Sequence, residues 1–124
     1  MKRRLTLLIV DDETRISDLL TEWLESTYTI VTAADGETAL ARVGRDTPDL
    51  MLLDINLPGV SGLEVLKRVR ELRPDLPVIM ITATTAHFEI TAALMRGAFG
   101  YLPKPFTLAY VEHMLAAATE QRSL

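Results

Sequence analysis

The sequence has no cysteine and only two histidines. That removes disulfides and thiolate metal sites, and it suits a reducing compartment, so a cytoplasmic location is expected. His87 and His113 stand far apart, without the spacing of metal ligands, and read as surface residues. Basic residues are in deficit: 13 Lys and Arg face 17 Asp and Glu, a net charge of −4. Phosphate binding needs a basic face, so direct nucleic-acid binding is not expected. Long apolar runs are missing too. Met1-Lys2-Arg3-Arg4 ahead of Leu5–Val10 imitates the start of a signal peptide, but Asp11-Asp12 closes the run before any full hydrophobic region or cleavage site. Nothing approaches the roughly 20 apolar residues that cross a bilayer, so no membrane partner is expected. Repeats and low-complexity linkers are absent, and the 124 residues read as a single domain, 1–124.

What the chain does have is alternation. Leu5–Val10 is apolar at all but one position and suits a strand buried on both faces of a parallel sheet. Between Glu13 and Ser26, residues Ile16, Leu19, Leu20, Trp23 and Leu24 make one helical stripe, which reads Trp23 as core. Thr29–Ala33 is a β-branched, less apolar strand suited to a sheet edge. Asp35-Gly36 turns the chain into a short helix with Ala39, Leu40 and Val43 inward, which Gly44 can end. Leu50–Leu53 is a third strand. Leu63, Leu66, Val69 and Leu72 mark the next helix, with the charged run Lys67–Arg73 as its wet face and Pro74 and Pro77 at its exit. Val78–Ile81 is a fourth strand stopping at Thr82, and a helix from Thr85 to Arg96 turns Ile90, Ala93 and Leu94 inward. Tyr101-Leu102-Pro103 is a brief fifth strand, with Pro103 at its end because proline cannot donate to a ladder. Thr107 opens a final helix offering Leu108, Val111, Met114, Leu115 and Ala118 to the core. Met95, Arg96 and Phe99 fit a partner surface or helix-end packing equally well.

Five strands alternating with five helices predict an α/β fold: a doubly wound, five-stranded parallel sheet in order 2-1-3-4-5, flavodoxin-like. In such sheets sites form beyond the carboxyl ends of the strands. The stretch Leu50–Gly62, LMLLDINLPGVSG, places Asp54 there directly after a wholly apolar run, followed by a Leu57-Pro58-Gly59 turn and Ser61-x-x-Glu64 with capping-box spacing. Asp11 and Asp12 end the first strand, Thr82 follows the fourth and Lys104 the fifth. Strands one and three are neighbours in this order, so the three aspartates converge.

Two carboxylates about 4 Å apart repel by roughly 4 kcal/mol at an effective dielectric of 20, so three together need raised pKa values or a cation. Oxygen-only ligands favour a hard ion such as Mg²⁺, for which Mn²⁺ can substitute. Thr82 and Lys104 add a hydroxyl donor and an ammonium, and with a cation they can neutralise a phosphoryl group's oxygens. Asp54 is then a candidate nucleophile forming an acyl phosphate. Plainer alternatives stand beside this: Asp54 as a polar strand end, Asp11-Asp12 as a solvated acidic loop at a helix start, Lys104 as a structural counter-ion.

Four segments, LLIVDDE (Leu7–Glu13), LLDINLPGVSG (Leu52–Gly62), IMITA (Ile79–Ala83) and GYLPKPF (Gly100–Phe106), resemble the receiver domain of bacterial two-component response regulators over essentially the whole chain, in the family's order and spacing. The resemblance implies a CheY-like phosphoacceptor switch rather than an enzyme acting on other molecules. Asp54 would take a phosphoryl group from the phosphohistidine of a sensor histidine kinase or a phosphotransfer protein. Asp12 and Asp54 would ligate Mg²⁺ with the backbone carbonyl of Asn56, and Asp11 would act partly through water. It further implies that Thr82 is the switch hydroxyl, Tyr101 the aromatic switch, Asn56 and Thr84 the positions that tune phosphoryl lifetime, and Lys104-Pro105 a cis peptide. Phosphorylation would draw Thr82 toward the phosphoryl oxygens and let Tyr101 rotate, reshaping the face of helix four, strand five and helix five. That face would control an output domain or partner protein, and a homodimer on phosphorylation is a further partner the family admits. For Tyr101 the plain alternative is a surface tyrosine.

Three other readings compete. An aspartate-nucleophile phosphatase of haloacid dehalogenase type would carry Asp-x-Asp after the first strand, whereas adjacent aspartates stand there and Asp54-x-Asn56 follows the third. A flavodoxin-type carrier would want a glycine- and hydroxyl-rich loop where Asp11-Asp12 would repel phosphate. A chemically silent pseudo-receiver is disfavoured because all the required groups are present. A chain beginning at Met1 suits a native amino terminus, and one stopping at Leu124 suits either a stand-alone receiver or part of a larger regulator.

Overall fold

A computed structural model describes residues 3–83 and 87–123. The elements run β1 (Thr6–Val10), α1 (Thr14–Leu24), β2 (Thr29–Ala33), α2 (Gly36–Asp46), β3 (Leu50–Asp54), α3 (Gly62–Leu72), β4 (Val78–Ala83), α4 (His87–Met95), β5 (Gly100–Lys104) and α5 (Leu108–Ser123). All four strand pairs are parallel, in the expected order β2-β1-β3-β4-β5.

The strands are apolar at successive positions because both faces of the sheet are covered. Leu8, Val10, Met51, Leu53, Val78 and Met80 face α2, α3 and α4, where they meet Ala39, Val43, Val65, Leu66, Val69, Ile90 and Ala93. The alternate residues Leu7, Ile9, Leu50, Leu52, Ile79 and Ile81 face α1 and α5, against Leu20, Leu24, Val111, Leu115 and Ala118. This period of two pins the register, since a slip of one residue would exchange the two faces. With the register pinned, Val10 lies beside Leu53 and Asp54 beside Ile81. The polar residues just past those positions therefore share one edge of the sheet.

The basic amino-terminal residues serve the fold. Arg3 forms a two-pronged pair with Asp49, at 2.9 and 2.7 Å, and Asp49 also accepts from the Thr6 amide at 2.8 Å. Arg4 donates to the carbonyls of Glu25 and Tyr28 at the end of α1. Both contacts fix where β1 enters the sheet.

Several helix details differ from expectation. Gly44 does not end α2, which runs on to Asp46 with an Arg42–Asp46 pair at 3.0 Å across its last turn. One glycine costs a helix only about 1 kcal/mol. Pro48 sets the limit instead, since the residue before a proline is disfavoured in helical conformation, and Thr47 turns left-handed at φ 42°. Leu72 is 60% exposed rather than inward, because the buried line of α3 is Gly62, Val65, Leu66 and Val69, and Leu76 from the following turn takes the next core place. Leu94 is likewise 43% exposed, with Ile90 and Ala93 carrying the inner side of α4. Arg70 leaves the wet face of α3 and folds back to donate to the carbonyls of Pro74 (2.8 Å) and Leu76, holding the entry to β4. The capping box is half formed: Ser61 Oγ accepts from the Glu64 amide at 3.2 Å, while the Glu64 carboxylate pairs with Arg68.

Trp23 is half-buried, edge-on to Phe106 with ring centroids 6.3 Å apart. Phe99 packs beside the α1/α5 core, whereas Met95, Arg96, His87 and His113 are exposed. β4 extends past Thr82 to Ala83, and Pro103 lies one residue from the end of the edge strand β5. The expected start of the fourth helix at Thr85 lies outside the described residues, as does Thr84.

A left-handed conformation costs an ordinary L-residue about 1–2 kcal/mol, and Thr47 carries that strain at an exposed position. Thr47→Gly is expected to raise stability by about 0.5–1 kcal/mol in urea denaturation. An unchanged or lower midpoint would contradict this account of the α2 terminus.

Candidate functional site

Asp11 and Asp12 follow β1 immediately, and Asp54 is the last residue of β3. Asp11 and Asp54 are almost fully buried and Asp12 is exposed. One carboxylate oxygen from each of the three lies within 4.8 Å of the others, which makes this the acidic cluster with room for a metal ion among the described residues. Lys104, at the end of β5, reaches back over the sheet edge into the same space. Its Nζ is 3.3 Å from Asp11 Oδ2, 3.4 Å from Asp54 Oδ2 and 3.2 Å from Glu13 Oε1. One ammonium thus faces three carboxylates.

Backbone amides fix the carboxylates. Asp54 Oδ1 accepts from the Asn56 amide at 3.0 Å, and Asp11 Oδ1 accepts from the Glu13 amide at 2.9 Å. In each case the other oxygen turns toward Lys104. Asp11 Oδ2 is buried and makes no directed hydrogen bond, although the ammonium stands near it. A buried carboxylate oxygen short of donors is an unsatisfied site for a cation. An all-oxygen donor set suits a hard divalent ion, so the residues present fit one.

Burial pushes the Asp54 carboxyl up from 3.8 to about 6, and the charge of Asp11 pushes the same way, against the Asn56 amide and Lys104. For Lys104, burial pulls the ammonium down, but Asp54 and Asp11 outweigh it and the net shift is upward. The cluster therefore holds more negative charge than Lys104 offsets, and it holds Asp54 in a poorly solvated place.

Thr82 is fully buried, and its hydroxyl donates to the Ala83 carbonyl at 3.2 Å. Tyr101 is 37% exposed on β5, beside Met80 in the register. The Lys104–Pro105 peptide bond is cis. Asn56 is exposed, and its amide serves Asp54. Two residues gain a part that reading the sequence did not give them. Gly62 sits so close to β3 that a Cβ there would lie 2.3 Å from the Asp54 carbonyl and 2.7 Å from Ile55 Cα, so only glycine lets α3 start against the strand that carries Asp54. Glu13, read as a helix-start residue, puts its carboxylate on Lys104. The available hint was its residue type: glutamate is a poor N-cap, and Glu13 stands at the N-cap of α1 with no side-chain capping bond.

The family description "Response regulator receiver domain" matches residues 7–116. This chain belongs to that family. It is a receiver domain of two-component signalling, and nothing found supports the haloacid dehalogenase reading. The chain is 42% identical, over 82% of its length, to the alkaline phosphatase synthesis transcriptional regulatory protein PhoP of Bacillus subtilis, covering 42% of that protein. It is 38% identical, over 92% of its length, to the DNA-binding transcriptional regulator NtrC of Salmonella typhimurium, covering 25% of it. The receiver chain thus spans less than half of these two regulators. Among solved structures it is similar to the receiver domain of NtrX from Brucella abortus, with a TM-score of 0.88, 34% identity, and coverage of 92% of this chain and 98% of that one. A CheY-like receiver domain protein from Methanospirillum hungatei superposes with a TM-score of 0.90 at 32% identity, covering 98% of both chains. Among the described residues, no helix is long and apolar enough to cross a membrane.

The raised Asp54 carboxyl sets a sign for stability. A carboxyl whose folded pKa lies above its unfolded value adds stability below the unfolded pKa and loses it as pH rises through the folded one. Between 3.8 and about 6, ionising Asp54 therefore comes to cost the folded chain stability. Asp54→Asn is expected to be more stable than wild type by about 1–3 kcal/mol at pH 7.5 without divalent cations, with the gain vanishing near pH 4. Urea denaturation at both pH values checks this, and a less stable variant at pH 7.5 would contradict it.

Proposed function

We propose that the receiver acts as a phosphoacceptor switch in which Asp54 is the phosphorylated residue. The observation that carries this is the convergence of Asp11, Asp12, Asp54 and Lys104 at the end of β3, with Asp54 buried and fixed on a rigid strand. An oxygen of Asp54 attacks phosphorus, forming an acyl P–O bond as the P–N bond of a kinase or phosphotransfer histidine breaks and the imidazole recovers a proton from solvent. Asp11, Asp12 and Asp54 would hold Mg²⁺, or Mn²⁺ in its place, with the Asn56 carbonyl as a further ligand. Bound there, the ion would offset the charge of the carboxylates and of the incoming phosphoryl oxygens. Lys104 supplies the second positive charge.

Phosphorylation also gives Thr82 a new acceptor. Its hydroxyl now donates to the Ala83 carbonyl, and phosphoryl oxygens on Asp54 would compete for that proton. Moving Thr82 makes room for the half-exposed Tyr101 to turn inward, which changes the face formed by α4, β5 and α5. A bias of a few kcal/mol is enough to shift such a two-state packing. The partners are a sensor kinase or phosphotransfer protein upstream, and downstream an output domain, a partner protein or a second copy of the phosphorylated chain. The reading is of a soluble, cytoplasmic signalling domain whose only chemistry is gain and loss of its own phosphoryl group. Asn56 and Thr84 are the positions that would set the lifetime of that group.

Incubation with acetyl phosphate and Mg²⁺ is expected to add about 80 Da, one HPO₃, to wild type. The adduct should not form when EDTA is present from the start, and it should be absent from Asp54→Asn. Its rate of formation should fall with pH only well below about 6, because bound Mg²⁺ favours the ionised Asp54 carboxylate. An undiminished adduct on Asp54→Asn, or steady turnover of a small phosphoester, would overturn the reading.

A further inference from the structure

We infer that Glu13 is a positioning residue for phosphoryl transfer, holding the Lys104 ammonium beside Asp54; this rests on the phosphoacceptor reading above. An ammonium has three protons to donate, and in this structure Lys104 faces three carboxylates, those of Asp11, Glu13 and Asp54. Asp11 and Asp54 belong to the cation cluster and Glu13 does not. With Asp11, Asp12 and Asp54 committed to a divalent ion, Lys104 would also be repelled by that ion's charge. Glu13 is then the neighbouring carboxylate still free to anchor the ammonium.

The local backbone is built to present that carboxylate. The Glu13 amide donates to Asp11 Oδ1, and its carbonyl accepts from the amides of Ile16 (3.0 Å) and Ser17 (3.2 Å). The residue is thus held on both sides while its side chain takes no capping bond. The carboxylate is 47% exposed and points across the sheet edge to β5, 91 residues further along the chain. Arg15 approaches its other oxygen only at 3.7 Å and is itself almost fully exposed, so Lys104 is the closer partner.

The same geometry says what Glu13 does during the reaction. As phosphorus bonds to Asp54, charge builds on the phosphoryl oxygens, and the N–H that Lys104 directs at Asp54 Oδ2 can be redirected to one of them, the ammonium keeping its charge. A Lys104 tethered by Glu13 stays within reach for that exchange. An untethered one is drawn into solvent by its flexible stem, and its charge is lost from the site when it is needed. Glu13 touches neither phosphorus nor the cation, so its effect travels wholly through Lys104.

The test is a double-mutant cycle of Glu13→Gln and Lys104→Met, each compared with wild type. Phosphorylation by acetyl phosphate is measured at saturating Mg²⁺, the Mg²⁺ dissociation constant by calorimetry without phosphodonor, and folding by thermal melts. Glu13→Gln is expected to slow phosphorylation about 2–5-fold, the effect of losing one partly exposed charge pair. It should change Mg²⁺ affinity less than about threefold, and it should have almost no effect in the Lys104→Met background. An equal loss in that background would make Glu13 a structural residue of the α1 start, overturning the inference. A rise in the Mg²⁺ dissociation constant of about tenfold or more would make it a cation ligand, and unchanged phosphorylation would make it a bystander. If wild type takes no phosphoryl group at all, the phosphoacceptor reading falls first and this inference with it.

Discussion

Lys104 shares one positive charge among Asp11, Glu13 and Asp54, and much of the design of this domain can be traced to that imbalance. Two of the three carboxylates are buried, with amide donors on one oxygen each and little but the ammonium on the other. Such a cluster is stable only because the sheet beneath it is rigid. Both faces of β1 and β3 are packed against helices, so the ends of those strands cannot splay to relieve repulsion. The excess negative charge favours a divalent ion, and together with burial, the larger cause, it raises the Asp54 carboxyl to about 6.

The fold supplies the positions and the loops supply the fine geometry. Parallel pairing sets Val10 beside Leu53 and Asp54 beside Ile81, which fixes the order of polar residues along the sheet edge. Gly62 then allows α3 to begin against β3, close over the carbonyl of Asp54. On the far side, β5 is an edge strand, and it carries both Lys104 and Tyr101. Lys104 at the candidate site and the half-exposed Tyr101 are thus three positions apart on one strand. Thr82 lies on the adjacent β4, in register with Pro103 between them.

Much of this was legible in the sequence. Runs such as Leu50–Leu53 are apolar throughout only when both faces are covered, and that single feature implied a parallel, doubly wound sheet. The polar residue ending each run then located the candidate site. What failed to show was whatever depends on how the next turn or a neighbouring strand packs. Leu72 and Leu94 fit a helical stripe, yet the packing of the following turns left them outward. Arg70 sits in a charged run that looks solvated, but its guanidinium serves carbonyls of Pro74 and Leu76. Gly44 was a plausible helix stop until Pro48 set the limit. Glu13 was visible as a helix-start residue, and only the approach of β5 gives it Lys104 as a partner.

The central claim is that Asp54 is the carboxylate held out of balance and discharged by a cation. The most direct measurement is a carbon-13 titration of the Asp54 carboxyl by NMR, with and without saturating Mg²⁺. Without the ion, the carboxyl is expected to titrate near 6. With it, the midpoint should fall well below that value, since a bound cation favours the ionised form. A carboxyl that titrates in the ordinary aspartate range and ignores Mg²⁺ would contradict the account.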